Sequence, residues 1–363
     1  MRYEIFAIII IVAFPFISQA QESVDIGEVE VRSSAEHESQ EDIGAFTTVI
    51  KPSELDTKSK SVAEAISETV GVDSTSLGGE GSLSTVSIRG SSSEQVAVFL
   101  DGVKLNSSTT GSVDFASIPP DSIERIEIIR GNASARFGTD AIGGVINIVT
   151  KKVGAKRAID LKLTGASFET LHTSESWREP RDGWDFVLSH THESSAGDYT
   201  FRSMTTTLNG TPVGPARIFT RIHNASISED VLTKFNFDIA EKLHFSLSSD
   251  FYWNDKEVPG TEEETTLLYP ADPLEAQEEI FRDTAGVKLT MDEFFTKNVL
   301  WETGITYLFD HDHYTNPSPP VGNPIDVTYM ENSPEYYSQW IHSKDWKNAS
   351  LSSTFRYQYS YDR

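Results

Sequence analysis

A chain of 363 residues has room for two domains. It carries 30 Lys and Arg against 55 Asp and Glu, a formal net charge of -25, which repels nucleic-acid phosphate and argues against DNA or RNA binding. With no cysteine, disulfide scaffolds, thiolate metal sites and cysteine nucleophiles are excluded.

The first 20 residues read as an export signal. Arg2 precedes the apolar run Ile5–Ile17, and Ser18-Gln19-Ala20 is a small-x-small site, so cleavage is expected after Ala20. The run is too short to anchor in a bilayer, which needs about 20 apolar residues. No other run is apolar enough for a membrane-crossing helix. Any crossing therefore falls to strands, because only helices and closed barrels satisfy their backbone in lipid. Residues 21–47 are polar and acidic, with one alternating island, VDIGEVEVRS at Val24–Ser33. Within it Glu28, Val29, Glu30 and Val31 have the alternation of a peptide that can add as a strand to a partner. The alternative is a solvated leader.

From residue 48 to residue 152 the pattern is that of a small α+β domain. Phe46–Ile50 reads as a strand, and Ser61–Val70 as a short amphipathic helix stopped by Gly71. Gly78-Gly79-Glu80-Gly81 lacks the following Lys-Ser/Thr of a phosphate loop and reads as a tight loop. Val86–Gly90 and Val96–Leu100 are strands, and Asp101-Gly102 is a turn. Two polar loops, with Ser91, Ser92 and Ser93 in one and Asn106, Ser107, Ser108, Thr109 and Thr110 in the other, offer hydroxyls and amides. Ile123–Arg130 is a half-buried strand and Asn132–Asp140 a polar turn. Ala141–Val149 is an apolar strand carrying Gly143 and Gly144, a pair that weakens a strand unless another backbone approaches closely.

IERIEIIRGNASARFGTDAIGGVINIVT at Ile123–Thr150, with SLSTVSIRG at Ser82–Gly90 and VAVFLDGVKLN at Val96–Asn106 before it, resembles the plug domain of TonB-dependent outer-membrane transporters. The likeness covers about Val24 to Lys152, with Asn132 standing where the family usually has proline. It implies that Glu28–Val31 is the TonB box, captured in the periplasm by the TonB protein. It implies that the serine- and threonine-rich loops are apical, facing the ligand. It implies also that Arg89 and Arg130, each closing a strand in an Ile-Arg-Gly context, pair with inward glutamates of a surrounding wall.

From Ala158 onward apolar and polar residues alternate. Val231, Thr233, Phe235, Phe237 and Ile239 are interleaved with Lys234, Asn236 and Asp238, and like patterns recur to Tyr359. About nine strands are expected, near 158–164, 167–176, 184–194, 229–239, 242–253, 281–291, 298–310, 334–343 and 348–360. The connections alternate short (Ala240–Lys242, Asp292–Lys297, Lys344–Lys347) and long (Ala196–Glu229, Asn254–Glu279, Asp312–Ser333). That sorting fits an antiparallel transmembrane β-barrel better than a soluble sandwich. Plugged barrels of the family close with about 22 strands. Residues 153–363 are therefore expected to be only the N-terminal portion of a barrel in a truncated chain, with an open edge prone to aggregation.

The spacing of His311 with His313 and of His190 with His192 suits metal ligation, and it equally suits neighbouring residues on one face of a strand. No cofactor is expected. Calcium in the acidic loops, such as Glu262–Glu264, fits no known template. There is no Gly-x-Ser-x-Gly and no catalytic constellation, so no enzymatic role is expected. The resemblance implies active uptake of a scarce nutrient across the bacterial outer membrane, with cobalamin or a ferric siderophore as ligand and TonB and membrane lipid as partners. The alternatives are a binding or adhesion protein without transport and a non-functional truncated receptor.

Overall fold

The computed structural model describes residues 47–51, 61–76, 81–107, 110–130, 141–202, 205–208, 211–215, 218–221, 223–258, 276–317, 324–346 and 349–360. The export signal, Glu28–Val31, Gly78–Glu80, Ser108, Thr109 and Asn132–Asp140 lie outside them.

The first domain holds β1 (Thr47–Ile50), helix α1 (Val62–Ser67), β2 (Val72–Ser76), β3 (Ser84–Ile88), β4 (Val96–Leu100), β5 (Val103–Lys104), β6 (Ile123–Arg130) and β7 (Gly144–Thr150). Helix α1 starts where Ser61 can close a capping box: the Glu64 amide donates to Ser61 Oγ and the Ser61 amide to Glu64 Oε2. It stops before Gly71, whose φ of +79° suits glycine. The main sheet runs β1-β6-β7-β4-β5, with β4 and β7 parallel and the other pairs antiparallel, and β2 pairs with β3 beside it. Isoleucines close its core: Ile66, Ile88, Ile126, Ile128, Ile146 and Ile148 are all fully buried.

The second part holds β8 (Ala158–Ala166), β9 (Thr170–Arg181), β10 (Trp184–Ser195), β11 (Tyr199–Arg202), β12 (Thr205–Leu208), β13 (Thr211–Pro215), β14 (Ile218–Arg221), β15 (Ser226–Ala240), β16 (Leu243–Glu257), β17 (Gln277–Met291), β18 (Val299–Asn316), β19 (Ile325–Trp346) and β20 (Ala349–Ser360). Nine of these form one antiparallel sheet in chain order, with β8 and β20 at its two edges. The remaining four make two nested pairs in the connection between β10 and β15, β11 with β14 and β12 with β13.

The wall is inverted relative to a water-soluble sheet. Ser189, Thr191, Asp230, Lys234, Asp250, Asn254, Arg282 and Thr284 are buried on the face that meets the plug. Ile159, Leu161, Leu163, Leu247, Val287 and Ile305 are exposed on the other. A polar inside with an apolar outside is the arrangement of a lipid-facing barrel wall, and it removes the soluble-sandwich alternative. On the apolar face, Trp184, Phe235, Phe237 and Phe245 form one run of ring contacts near the short turns. Phe251, Phe281 and Phe309 form a second. The buried cluster at the centre of the plug also takes in Leu308 of β18, a residue of the wall.

Two expected boundaries are corrected. The long connection Asp312–Ser333 shrinks to residues 317–324, because β18 runs on to Asn316 and β19 begins at Ile325. The expected loop Asn254–Glu279 likewise loses its ends to β16 and β17. At the ends of β16 and β18 and the start of β17 both faces are largely polar, so the alternation that marks a strand in sequence fades while the backbone ladder continues; the start of β19 does alternate, at Ile325, Val327 and Tyr329. No helix among the described residues is long and apolar enough to cross a membrane.

Candidate functional site

The site is the contact between the plug and the polar face of the wall. Asp101 sits at the turn after β4 with a φ of 49°, and its carboxylate accepts from the Thr150 hydroxyl at 2.5 Å and the Thr150 amide at 3.1 Å. From β15, Lys234 reaches the same carboxylate at 2.8 Å and donates to the Thr150 carbonyl at 3.2 Å. Burial pushes the Asp101 carboxyl up, but Lys234 and the Thr150 donors outweigh it and hold the group below the usual carboxylate range. The pair is buried and hydrogen-bonded on both sides, the condition under which a buried ion pair is tolerated.

Arg282 of β17 makes the second contact. Its Nη1 donates to Ser117 Oγ at 2.6 Å and its Nη2 to the Ser117 carbonyl at 2.9 Å, while Asp250 lies 3.4 Å away and the Tyr252 ring 5.3 Å from the guanidinium carbon. The neighbouring Ser122 hydroxyl donates to Asp230 at 3.2 Å. Lys256 of β16 donates to the Gly81 carbonyl at 3.1 Å and pairs with Glu278 at 2.6 Å. Asp121 gathers Lys162 of β8 at 2.9 Å and His172 of β9, which also faces Glu193. Burial raises the Asp121 carboxyl, but His172 and Lys162 bring it down to about 2.

In the Lys234–Asp101 and Lys162–Asp121 pairs the wall supplies the cation and the plug the carboxylate. Arg130 bonds within the plug, to the Val70 carbonyl at 2.6 Å and to Thr48 Oγ1. It lines a hollow of about 280 Å³ with Thr48, Ile50, Ala65 and Val70. Arg89 is exposed, has a φ of 54°, and its amide donates to the Gly71 carbonyl at 2.7 Å.

The apical loops are held by their own hydrogen bonds. Asn106 is buried: its Oδ1 accepts from the Val98 amide at 2.8 Å, and its Nδ2 donates to the Val96 and Gly111 carbonyls, each at 2.8 Å. That use of both amide hydrogens and the carbonyl corrects its expected ligand role; Asn106 is the bracket of the loop. Ser107 and Thr110 lie on the bracketed loop, with the Thr110 amide 3.3 Å from Ser107 Oγ and the Thr110 and Ser112 hydroxyls 3.2 Å apart. Ser92 is exposed and Ser93 half-buried, in the 3-10 turn Ser93–Gln95 and its flank. Ser91 is packed under Gly143, where an added Cβ would lie 2.3 Å from Ser91 Oγ. The close approach expected at the glycine pair is therefore present: Gly144 would likewise meet the Ile129 carbonyl at 2.7 Å.

Asp101, Ser117, Asp121, Lys234 and Arg282 were not expected from sequence. A signal was available for the two cations, since Lys234 and Arg282 fall on the polar side of alternating strands that must face something. Their partners, far away in the chain, left none. Among the described residues no group of three or more His, Asp or Glu side chains is placed to hold a metal ion.

Residues 39–145 match the family model described as the TonB-dependent Receptor Plug Domain. The chain is 39% identical over 147 residues to the vitamin B12 transporter BtuB of Photobacterium profundum, covering 40% of this chain and 24% of that protein. It is 35% identical over 160 residues to BtuB of Vibrio vulnificus, covering 44% and 26%. The match thus spans about a quarter of the length of these relatives. Among solved structures, the siderophore receptor PirA of Acinetobacter baumannii aligns with a TM-score of 0.64 at 17% identity, over 86% of this chain and 47% of that one. The ferric enterobactin receptor PfeA of Pseudomonas aeruginosa aligns with 0.63 at 16%, over 87% and 49%. A plug of matching sequence at residues 39–145, seated by ion pairs against the polar face of an antiparallel wall of matching fold, is what this chain shares with TonB-dependent outer-membrane receptors.

Proposed function

We propose that the chain serves TonB-dependent uptake of a scarce nutrient across the outer membrane, and that the nutrient is cobalamin. The observation that carries the uptake reading is the seating of the plug: a folded stopper held to the wall by a few ion pairs and hydrogen bonds can be displaced without unfolding the wall. Glu28–Val31 serves as the strand that TonB captures, and pull on it rearranges the plug. Ser92, Ser93, Ser107 and Thr110, with Ser108 and Thr109 beside them, meet the ligand through many modest hydrogen bonds. Arg89 and Arg130 shape the plug near its ends. Cobalamin is favoured over a ferric siderophore because the relatives named BtuB are 39% and 35% identical to this chain over 147 and 160 residues. The siderophore receptors share 16–17% and speak for the fold alone.

Binding of cyanocobalamin and of a ferric siderophore panel to the protein in outer-membrane vesicles tests the ligand. Saturable cyanocobalamin binding is expected; binding of a siderophore alone would reassign the ligand, and binding of neither would refute the uptake reading. Val29→Pro removes a strand donor and is expected to abolish capture by the TonB carboxy-terminal domain while leaving ligand binding intact.

A further inference from the structure

The short 3-10 turn Pro120–Ser122 is a part of the plug that meets several wall strands at once. Asp121 faces Lys162 of β8 and His172 of β9, and Ser122 faces Asp230 of β15. The Ser122 carbonyl also accepts from the Lys151 amide at 2.8 Å, so the turn is tied to the residue that follows β7. Pro119 and Pro120 fix their own φ angles and leave the turn little freedom to give up one contact without disturbing the next. His172 differs from the other wall residues that touch the plug. Its Nε2 faces Asp121 of the plug, and its Nδ1 faces Glu193 of β10 at 3.2 Å. Only 13% of the His172 side chain, 12% of Asp121 and 27% of Glu193 are exposed, so water has little room to replace either contact.

An ionised carboxylate only accepts hydrogen bonds, and a neutral imidazole has a single N–H. A ring held between two carboxylates therefore fills both contacts only as the imidazolium. The other wall cations at the plug are lysines and an arginine, residue types that ordinarily stay charged through neutral pH; imidazole is the type that gains and loses its charge there. We propose that His172 is a proton-dependent latch between plug and wall, closed while the ring carries both protons and opened when it gives one up. The charged groups around the latch are Asp121 from the plug, Glu193 from β10 and Lys162 from β8. Loss of the proton removes the donor from one of the two carboxylates and leaves both negative charges beside a neutral ring, so the latch weakens as pH rises. A loosened Asp121 carries Ser122 with it, and through Ser122 the end of β7. The latch sets how firmly the plug is seated, whichever nutrient the protein carries.

The test uses the full chain in phosphatidylethanolamine–phosphatidylglycerol vesicles. Nitroxides at Glu124→Cys on the plug and Ser167→Cys on the turn between β8 and β9 report the plug–wall distance by pulsed electron resonance. A narrow distance distribution is expected at about pH 6, and its loss by about pH 10. His172→Arg, which keeps the charge and two donors, is expected to stay narrow at both values, and His172→Gln to be broad at both. A distribution that stays narrow across the range, or a His172→Gln variant that tracks the unsubstituted ring, would overturn the proposal. A distribution broad at every pH in the parent chain would instead overturn the seat at Asp121, and the latch with it. Nitrogen resonance of isotope-labelled histidine, with the His172 signal assigned by its absence in His172→Gln, reads the ring directly. Both ring nitrogens are expected to carry protons at about pH 7, and a singly protonated ring there would also overturn the latch.

Discussion

At the scale of single residues, the plug is held by cations reaching inward from the wall. Lys234 serves Asp101 and the Thr150 carbonyl together, and so ties the end of β7 to β15. Lys234→Met leaves a buried carboxylate without its cation. It is expected to cost about 3–5 kcal/mol, read as a lower denaturation midpoint and faster amide exchange in β4 and β5. Lys234→Met with Asp101→Asn should recover much of that loss, because no charge is stranded. The pH dependence has a definite sign. Asp101 and Asp121 have lowered folded pKa values, so their contribution is present above the unfolded value and is lost as pH falls through the folded one. For Asp121 the window runs from 3.8 down to about 2, and the shift corresponds to about 2 kcal/mol. Asp114 runs the other way: burial raises its pKa, so its ionisation costs stability as pH rises. Denaturant midpoints measured from neutral pH to about 2 should show the net loss on the acid side, and Asp121→Asn should flatten it.

At the scale of elements, glycine does the work of letting strands approach. Gly143 donates its amide to the Gln95 carbonyl at 2.9 Å and leaves no space for a side chain beside Ser91. Gly143→Ala is expected to destabilise the β4–β7 seam by about 1–3 kcal/mol, measurable by thermal unfolding, and pairing it with Ser91→Gly should relieve most of the clash. This close packing was legible in the sequence, because a Gly-Gly pair in an apolar strand has few other uses. The nine wall strands were legible for a similar reason, since a two-faced environment imposes a period of two on side chains. Where that environment ends, the signal ends too. Strand β18 continues through His311 and His313 to Asn316 with both faces polar, and it reads as loop. The short strands β11 to β14 were missed because runs of four or five residues are too short to show a period of two. The loop residue Asn106 was misread because an exposed ligand-binding amide and a buried bracketing one look alike in sequence; only the Val96, Val98 and Gly111 contacts tell them apart.

At the scale of the molecule, the wall presents water-avoiding residues outward and solvating residues inward. Leu247 is 43% exposed and Val287 42% exposed on the outer face, against 1% for Asp230 on the inner. Leu247→Arg is expected to cost about 2–4 kcal/mol in a bilayer near the middle of the apolar belt, seen as reduced assembly into vesicles, while an arginine near either rim of the wall should cost less. The ion pairs between plug and wall were beyond sequence reading because each joins residues far apart in the chain. The resemblance drew attention to Arg89 and Arg130 on the plug and gave no sign of the wall cations Lys234 and Lys162.

Leu308 belongs to both parts at once. It sits on β18 of the wall, yet it is buried in one apolar cluster with Val103 and Leu105 beside the edge strand β5 of the stopper. A stopper drawn away from its vessel uncovers apolar surface on both, and that exposure sets a cost on every displacement.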